Sequence, residues 1–248
     1  VNERDAARVQ ISVIIPAWRD AAKLAGLLPV LAQLDLFEVI VVDASGDDES
    51  RAVAAPTGAK FLRCDEPNRG AQMNLGAQQG TGEVLLFQHA DTELTSAHLQ
   101  ALVSAMVDPH VVGGAFHRKF DRRHPRMMWM EHMARWLARR GGTLYGDQSV
   151  FVRREIFAAL GGFAMIPLME DVEFSRRLRR AGKVVVLDPP IGTSSRRHDR
   201  RGAWRTSIQN GLFIVLFRLG VSPARLHGWY YGDQRVAAVA PQLDSLNR

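Results

Sequence analysis

His89 and Asp91 stand two residues apart, directly after the short apolar run 83–88 (Glu-Val-Leu-Leu-Phe-Gln). Carboxylate oxygen suits magnesium and manganese, and imidazole tolerates manganese, so the pair could hold a divalent cation. A plainer reading fits the same residues. Asp91 could cap a helix starting near Thr95, and His89 could be a buried histidine with satisfied partners. What decides between them is whether the rest of the chain brings suitable groups to the same place. Three candidates are visible. Asp43 ends a β-branched run, and before Ser45-Gly46 it could equally form a turn. Arg69, in Asn68-Arg-Gly70, opens a helical stretch, where free amides favour anions. Glu170-Asp171 opens another, and adjacent carboxylates raise one partner's pKa.

The elements that would position these groups follow from apolar periodicity. Residues 11–15, 38–42, 59–63 and 83–88 are short apolar runs bounded by turn residues, and they read as strands. Between them, 20–34 carries Leu24, Leu27, Leu28 and Leu31 at helical spacing, 47–55 forms a short helix, and Asn68 opens a third. Strands alternating with helices, each strand apolar on both faces, indicate an α/β fold with a mainly parallel sheet covered on both sides. Functional groups collect beyond the carboxyl ends of such strands, where Pro16, Ala17, Trp18, Asp43, Asp65, His89 and Asp91 lie. The second half reads as a helix at 96–107, a strand at 113–120, an amphipathic helix at 127–140 and a glycine-rich loop, 141–148, leading into a strand at 149–152. A turn at Gly161-Gly-Phe163, a helix from Glu170, a strand at 183–187, a basic loop at 193–202 and a helix at 203–218 follow. No G-x-G-x-x-G follows the first strand and no G-K-[ST] occurs, which excludes the usual dinucleotide fingerprint and the P-loop.

With 248 residues and 46% apolar content, the chain can build one sizeable core. A single cysteine, Cys64, excludes a disulfide framework and fits a reducing compartment. The net charge of +6 raises three classes of partner: nucleic acid, an anionic membrane surface and a phosphorylated substrate. No nucleic-acid-binding signature is present, so nucleic acid is not expected as a partner. The apolar run at 211–217 is far shorter than the roughly 20 residues that span a bilayer. A cytoplasmic protein, with peripheral contact at the inner membrane surface as an option, is the resulting expectation.

Taken in order, Ile14-Ile-Pro-Ala-Trp18, Val41-Val-Asp-Ala-Ser45, Asn68-Arg-Gly70 with Asn74 and Gly76, His89-Ala90-Asp91, Gly161-Gly-Phe163 and Glu170-Asp171 resemble family 2 glycosyltransferases of the GT-A fold. The strings Leu-Phe-Gln-His-Ala-Asp-Thr and Tyr-Gly-Asp-Gln further resemble the radical-SAM/selenodomain-associated transferase 2 subgroup, a name also tied to arsenosugar biosynthesis. The resemblance covers residues 10–190 and implies a Rossmann-like, mixed but mainly parallel sheet flanked by helices, followed by C-terminal helices. It implies a catalytic domain at 10–202, with a nucleotide-binding half at 10–95 and an acceptor half at 96–202, and a helical extension at 203–248.

Roles carried over by the resemblance are specific. Pro16, Ala17 and Trp18 would cradle the nucleotide base, Asp43 would bond to it, and Arg69 would lie near base and phosphates. Asp91, with Ala90 in the same loop, would bind the metal that bridges the diphosphate of the donor. His89 stands where the family usually has a carboxylate, and would be a second metal ligand or a ribose contact. Asp171 would be the general base, with Glu170 beside it. Asp147 and Gln148 would face the acceptor or the sugar. Arg196 and Arg197 would close over the diphosphate, and His198 could complete a metal site on closure. The implied reaction is inverting transfer of a sugar from a nucleotide-diphosphate sugar, a UDP-sugar first, to a small-molecule or lipid acceptor, with Mn2+ or Mg2+ as cofactor. A homodimer is a further expectation. Two other functions remain open from the residues alone: a nucleotidyltransferase, which would want glycines where 16–20 has none, and a non-catalytic basic module for membranes or nucleic acid.

Overall fold

A computed structural model describes residues 9–120, 136, 141–193 and 203–231. Seven strands among these form a single sheet in the order β3-β2-β1-β4-β6-β5-β7. They are β1 (Ile11–Ala17), β2 (Glu38–Asp43), β3 (Lys60–Arg63), β4 (Val84–Phe87), β5 (Val111–Phe120), β6 (Phe151–Arg153) and β7 (Lys183–Thr193). The first four pair in parallel, as do β5 and β7, while β6 runs antiparallel to both its neighbours. The mainly parallel sheet indicated by the alternating pattern is what the chain adopts, with the mixed character that the resemblance implied.

Both faces of the sheet are dry, and the strand alternation shows why. Val13 and Ile15 of β1 face a cluster with Leu24, Leu27, Leu28 and Leu31 of α1 (Ala21–Leu31) and with Leu99, Leu102 and Met106 of α4 (Ser96–Met106). Ile14, between them in sequence, points the other way. It joins Met73 and Ala77 of α3 (Arg69–Gln79), Phe157 of α5 (Arg154–Ala159), and Phe174 and Leu178 of α6 (Glu170–Ala181). Side chains of successive strand residues point to opposite faces, so a β-branched run with no polar gaps is what a doubly covered strand requires. Gly76 lets α3 lie close on β1: a Cβ there would stand 2.4 Å from Ile14 Cγ2.

The short helix expected at 47–55 is α2 (Glu49–Ala54), continued by a turn of 3-10 helix at Ala55–Thr57. The strand expected at 183–187 runs on to Thr193, through a cis bond at Asp188–Pro189. After α7 (Ala203–Arg218), the last helix that periodicity indicates, the chain forms a further helix, α8 (Pro223–Tyr231), whose Tyr230 ring lies 5.9 Å from that of Phe213. The amphipathic helix expected at 127–140 falls outside the described residues, apart from Trp136, as do Arg196, Arg197 and His198.

Two features of this topology build the site. Because β6 runs backwards, the loop that enters it meets the carboxyl end of β4, where Phe87 N–H donates to Val150 C=O at 2.8 Å. Because α3 and α6 each run against the strand that follows them, both begin at that same edge.

Candidate active site

Arg69, His89, Gly146 and Asp171, from four separate segments, line one cleft together with Pro16 and Phe87. Each is held there by identifiable contacts. Asn68 caps α3 by accepting Ala71 N–H at 3.0 Å, which fixes Arg69 as the first helical residue. The Arg69 guanidinium donates through Nη2 to His89 Nε2, and its Nε lies 3.6 Å from Glu170 Oε1. Gly146 packs against that guanidinium, and a Cβ there would stand 2.0 Å from Nη2. Gly146 N–H donates to Asp171 Oδ2 at 2.8 Å, and Val172 N–H donates to Oδ1 at 2.7 Å.

Asp171 is therefore not an N-cap. Met169 occupies that position with φ of 72° and makes no side-chain cap. Asp171 is the second residue of the helix, in its first turn, half-buried and oriented by two amides. Glu170 is buried, and that burial pushes its carboxyl above the ordinary glutamate range; the nearby Arg69 charge pulls the other way without prevailing. Asn74 steadies the chain leading into this helix. It accepts Phe163 N–H at 2.8 Å and donates to Phe163 C=O at 2.9 Å. Arg177 adds bonds from α6 to the carbonyls of Leu160 and Gly162. The Asn-Arg-Gly and Gly-Gly-Phe segments are thus mechanically joined: α3 holds the turn that delivers Glu170 and Asp171.

The His89–Asp91 loop is fixed from below by Gln88. Its side chain is fully buried, donates to Thr92 C=O at 2.6 Å and accepts from Ser149 Oγ at 2.6 Å. Helix α4 is capped by Thr95 with His98, so Asp91 is not its cap. The Asp91 carboxylate is exposed and makes no hydrogen bond or ion pair among the described residues, while Ala90 is buried beneath it. His89, expected as a second metal ligand or a ribose contact, meets the Arg69 guanidinium in this structure. Arginine stays protonated and is only a donor, so Nε2 must be the acceptor and its lone pair is engaged by Arg69. No group of three or more His, Cys, Asp or Glu side chains among the described residues is arranged to hold a metal ion. A divalent cation fits here only where phosphate oxygens complete the coordination sphere around Asp91, a pattern magnesium favours.

The remaining expected residues are placed as follows. Trp18 projects past the end of β1 with 40% of its surface exposed, and the Arg19 guanidinium lies 5.1 Å from its ring centroid. Asp43 is fully buried and accepts from Ser45 N–H, Ser45 Oγ and Ser50 Oγ at 2.8–2.9 Å. A carboxylate has about four lone-pair sites, so three are in use here. Ala17 C=O accepts from Gln72 Nε2 at 2.6 Å, and Gln72 also bonds Val42 C=O at 2.9 Å, tying α3 to both strand ends. Gln148 turns inward and accepts Tyr145 N–H at 2.8 Å, a position from which it shapes its loop and does not face solvent. Asp147 pairs with Arg118 of β5 at 2.8 Å. Burial works to raise its carboxyl, but the Arg118 guanidinium, together with smaller contributions from His89 and Arg69, holds it below the ordinary aspartate range. Its Oδ1 is closed off and unpaired among the described residues.

Sequence reasoning missed the parts played by Gln72, Gln88, Ser149 and Arg118. A buried polar side chain amid apolar neighbours was the available signal for the two glutamines, but their partners lie 4 to 61 residues away.

Comparison with known proteins bears on this arrangement. The family model described as Glycosyl transferase family 2 matches residues 12–166. The 4,4'-diaponeurosporenoate glycosyltransferase of Staphylococcus haemolyticus is 34% identical over 104 residues, covering 38% of this chain and 28% of that protein. The PGL/p-HBAD biosynthesis glycosyltransferase of Mycobacterium bovis is 28% identical over 177 residues, covering 67% of this chain and 68% of its own. The chain thus spans little more than a quarter of the first relative and about two thirds of the second. Among solved structures, the mannosyltransferase PcManGT from Pyrobaculum calidifontis, in complex with GDP-Man and Mn2+, superposes with a TM-score of 0.65 at 21% identity, over 88% of this chain and 67% of that one. S. aureus TarS 1-349 with UDP-GlcNAc gives 0.59 at 22% identity, over 75% of this chain and 58% of the other. At these identities the superpositions establish a shared fold.

Proposed function

The chain belongs to glycosyl transferase family 2, and from that premise we propose that it moves a sugar from a nucleotide-diphosphate sugar to an acceptor hydroxyl, with inversion and with Asp171 as general base. The observation that carries this reading is the convergence of the α3 and α6 amino ends on one cleft. Arg69 stands at one and Asp171 at the other, and the Gly146 loop touches both.

In this mechanism the donor lies across the carboxyl ends of β1, β2 and β4. The base sits between Pro16, Ala17 and Trp18, whose exposed ring offers a stacking face. Asp43, buried at the end of β2 beside Ala17, would use its remaining lone-pair site for a base N–H. The diphosphate lies toward Arg69 and the amide-rich start of α3, which favour anions. The Mn2+ or Mg2+ expected of this chemistry would be held by Asp91 together with the donor phosphates, and when bound it neutralises the charge that develops on the leaving diphosphate. His89, accepting from Arg69, orients that guanidinium.

Transfer is a single displacement. Asp171 takes the acceptor hydroxyl proton as the oxygen attacks the anomeric carbon. The bond from that carbon to the phosphate oxygen breaks, and the nucleoside diphosphate leaves with the electron pair. Two amide donors hold the Asp171 carboxylate in one orientation before the acceptor arrives, which removes part of the entropic cost of reaching the reactive geometry. Arg118 and Asp147 border the same loop and are assigned to the acceptor side, as are Arg196 and Arg197 to the diphosphate. On this reading 10–202 is the catalytic domain, 10–95 its donor half and 96–202 its acceptor half, with 203–248 an extension.

UDP is the first candidate donor nucleotide. GDP is the alternative, since the relatives of known structure include complexes with both GDP-Man and UDP-GlcNAc. Titration calorimetry with UDP, GDP and dTDP, each with and without Mn2+, tests the proposal. Binding of one of them, strengthened by Mn2+, is the expected result. If none binds under either condition, the proposed reaction is wrong for this chain.

A further inference from the structure

The described part of the C-terminal extension presents an apolar face to solvent. Leu212, Val215 and Leu219 recur at helical spacing and are 53%, 52% and 77% exposed, and Trp229 of α8 is 59% exposed. The opposite side of the same hairpin is satisfied: Phe213 and Leu226 are buried. Successive residues turn by about 100°, so Leu212, Val215 and Leu219 fall within one narrow stripe and Arg218 lies on its border.

The charge carried by these two helices has one sign. Between residues 203 and 231 there is no Asp or Glu, while Arg205, Arg218 and Arg225 are present, and the last two are exposed. Exposed Leu, Val and Trp side chains with arginines at the margin match the interface of an anionic bilayer, where the apolar groups enter the acyl boundary and the guanidinia meet lipid phosphates. A second copy of the chain suits the face less well, because a twofold contact would bring two acid-free, arginine-bearing surfaces together. No helix among the described residues is long and apolar enough to cross a membrane, so any attachment through this face would lie on the surface.

The face also connects to the candidate active site. Arg218 Nη2 donates to Thr143 Oγ1 at 3.1 Å, in the loop whose Gly146 bonds Asp171. Arg179 Nε of α6 donates to Gly142 C=O at 2.7 Å in the same loop. We infer that the α7–α8 face docks on an anionic lipid surface and brings the acceptor side of the cleft to it, so that the acceptor is carried by a lipid. The docking half of this inference is independent of chemistry; the acceptor half rests on the proposed glycosyl transfer.

Co-sedimentation of the full chain with phosphatidylcholine vesicles, with and without phosphatidylglycerol, tests it. The chain should bind the anionic vesicles at least about tenfold more tightly, and added salt should weaken binding. Replacing Leu212, Val215 and Leu219 together by serine should weaken it by about tenfold or more. Arg218→Gln with Arg225→Gln should remove most of the preference for anionic lipid. All five side chains are exposed, and far-UV circular dichroism with a thermal melt checks that the variants fold. Absence of vesicle binding by the parent chain, or equal binding by the serine variant, overturns the inference. So does a concentration-dependent dimer that the serine variant abolishes. Nucleotide calorimetry on the same samples separates the two proposals: vesicle binding without nucleotide binding would count against the glycosyl transfer alone.

Discussion

Gly146 N–H lies 2.8 Å from Asp171 Oδ2, and a side chain on Gly146 would collide with the Arg69 guanidinium. One backbone position therefore sets two groups of opposite charge, each on a different helix. The loop 141–148 is the joint through which the starts of α3 and α6 share a geometry.

Replacing Asp171 by Asn keeps the size of the side chain and removes its basicity. Transfer should fall by about two to four orders of magnitude, the usual contribution of a general base. Calorimetry should show nucleotide affinity nearly unchanged, because the assigned donor contacts lie elsewhere. Equal losses in both measurements would show that Asp171 serves donor binding.

For Gly146→Ala, the new methyl would stand 2.0 Å from Arg69 Nη2 and 3.3 Å from His89 Nε2. Arg69 must move, but its guanidinium is the far end of a flexible side chain, so the cost is small, below about 1 kcal/mol, and the main effect is to displace Arg69 from His89. That cost comes from the Arg69 side chain, so it should largely vanish in an Arg69→Ala background. Chemical denaturation of the two single variants and the double variant measures that coupling.

Asp91→Ala should abolish the part of nucleotide affinity that depends on Mn2+ and leave metal-free affinity unchanged. His89→Ala should act differently: it removes the acceptor for Arg69, so metal-free nucleotide affinity should fall too. Comparing titrations with and without Mn2+ for the two variants distinguishes a cation-binding carboxylate from a group that orients an arginine.

Glu170 gives a pH dependence with a definite sign. Its carboxyl in the folded chain lies above the ordinary value because of burial, so the folded state holds a proton that the unfolded state has released. Stability contributed by the protonated form is complete below the unfolded pKa and is lost as pH rises through the folded pKa. Glu170→Gln removes that dependence. Relative to the parent chain, the variant should therefore gain stability as pH rises from about 4 toward neutrality. Thermal melts across that range should show the gap between the two moving in the variant's favour.

The elements themselves were legible because their signals are local. The β-branched runs of β1 and β2, the apolar run of β4 and the leucine spacing of α1 are properties of a few consecutive residues, and burial on both faces follows from stretches without polar gaps such as 13–15, 39–42 and 84–87. The ordered motifs indicated the family, since each marks a strand or helix end. The reversed direction of β6 was not legible, because its three residues carry no record of which neighbour they will pair with.

The sequence by itself determined which carboxylates, arginine and histidine stand at element ends, and therefore which chemistry was available. Tertiary structure decided how they are used. Arg69 and His89 are 20 residues apart, Gly146 and Asp171 are 25, and Arg118 and Asp147 are 29. Contacts at such separations leave no periodicity in the chain. They exist only because the parallel strands and the two helix starts bring their ends to one edge of the sheet, where Arg69 meets His89 and the Asp91 carboxylate faces solvent.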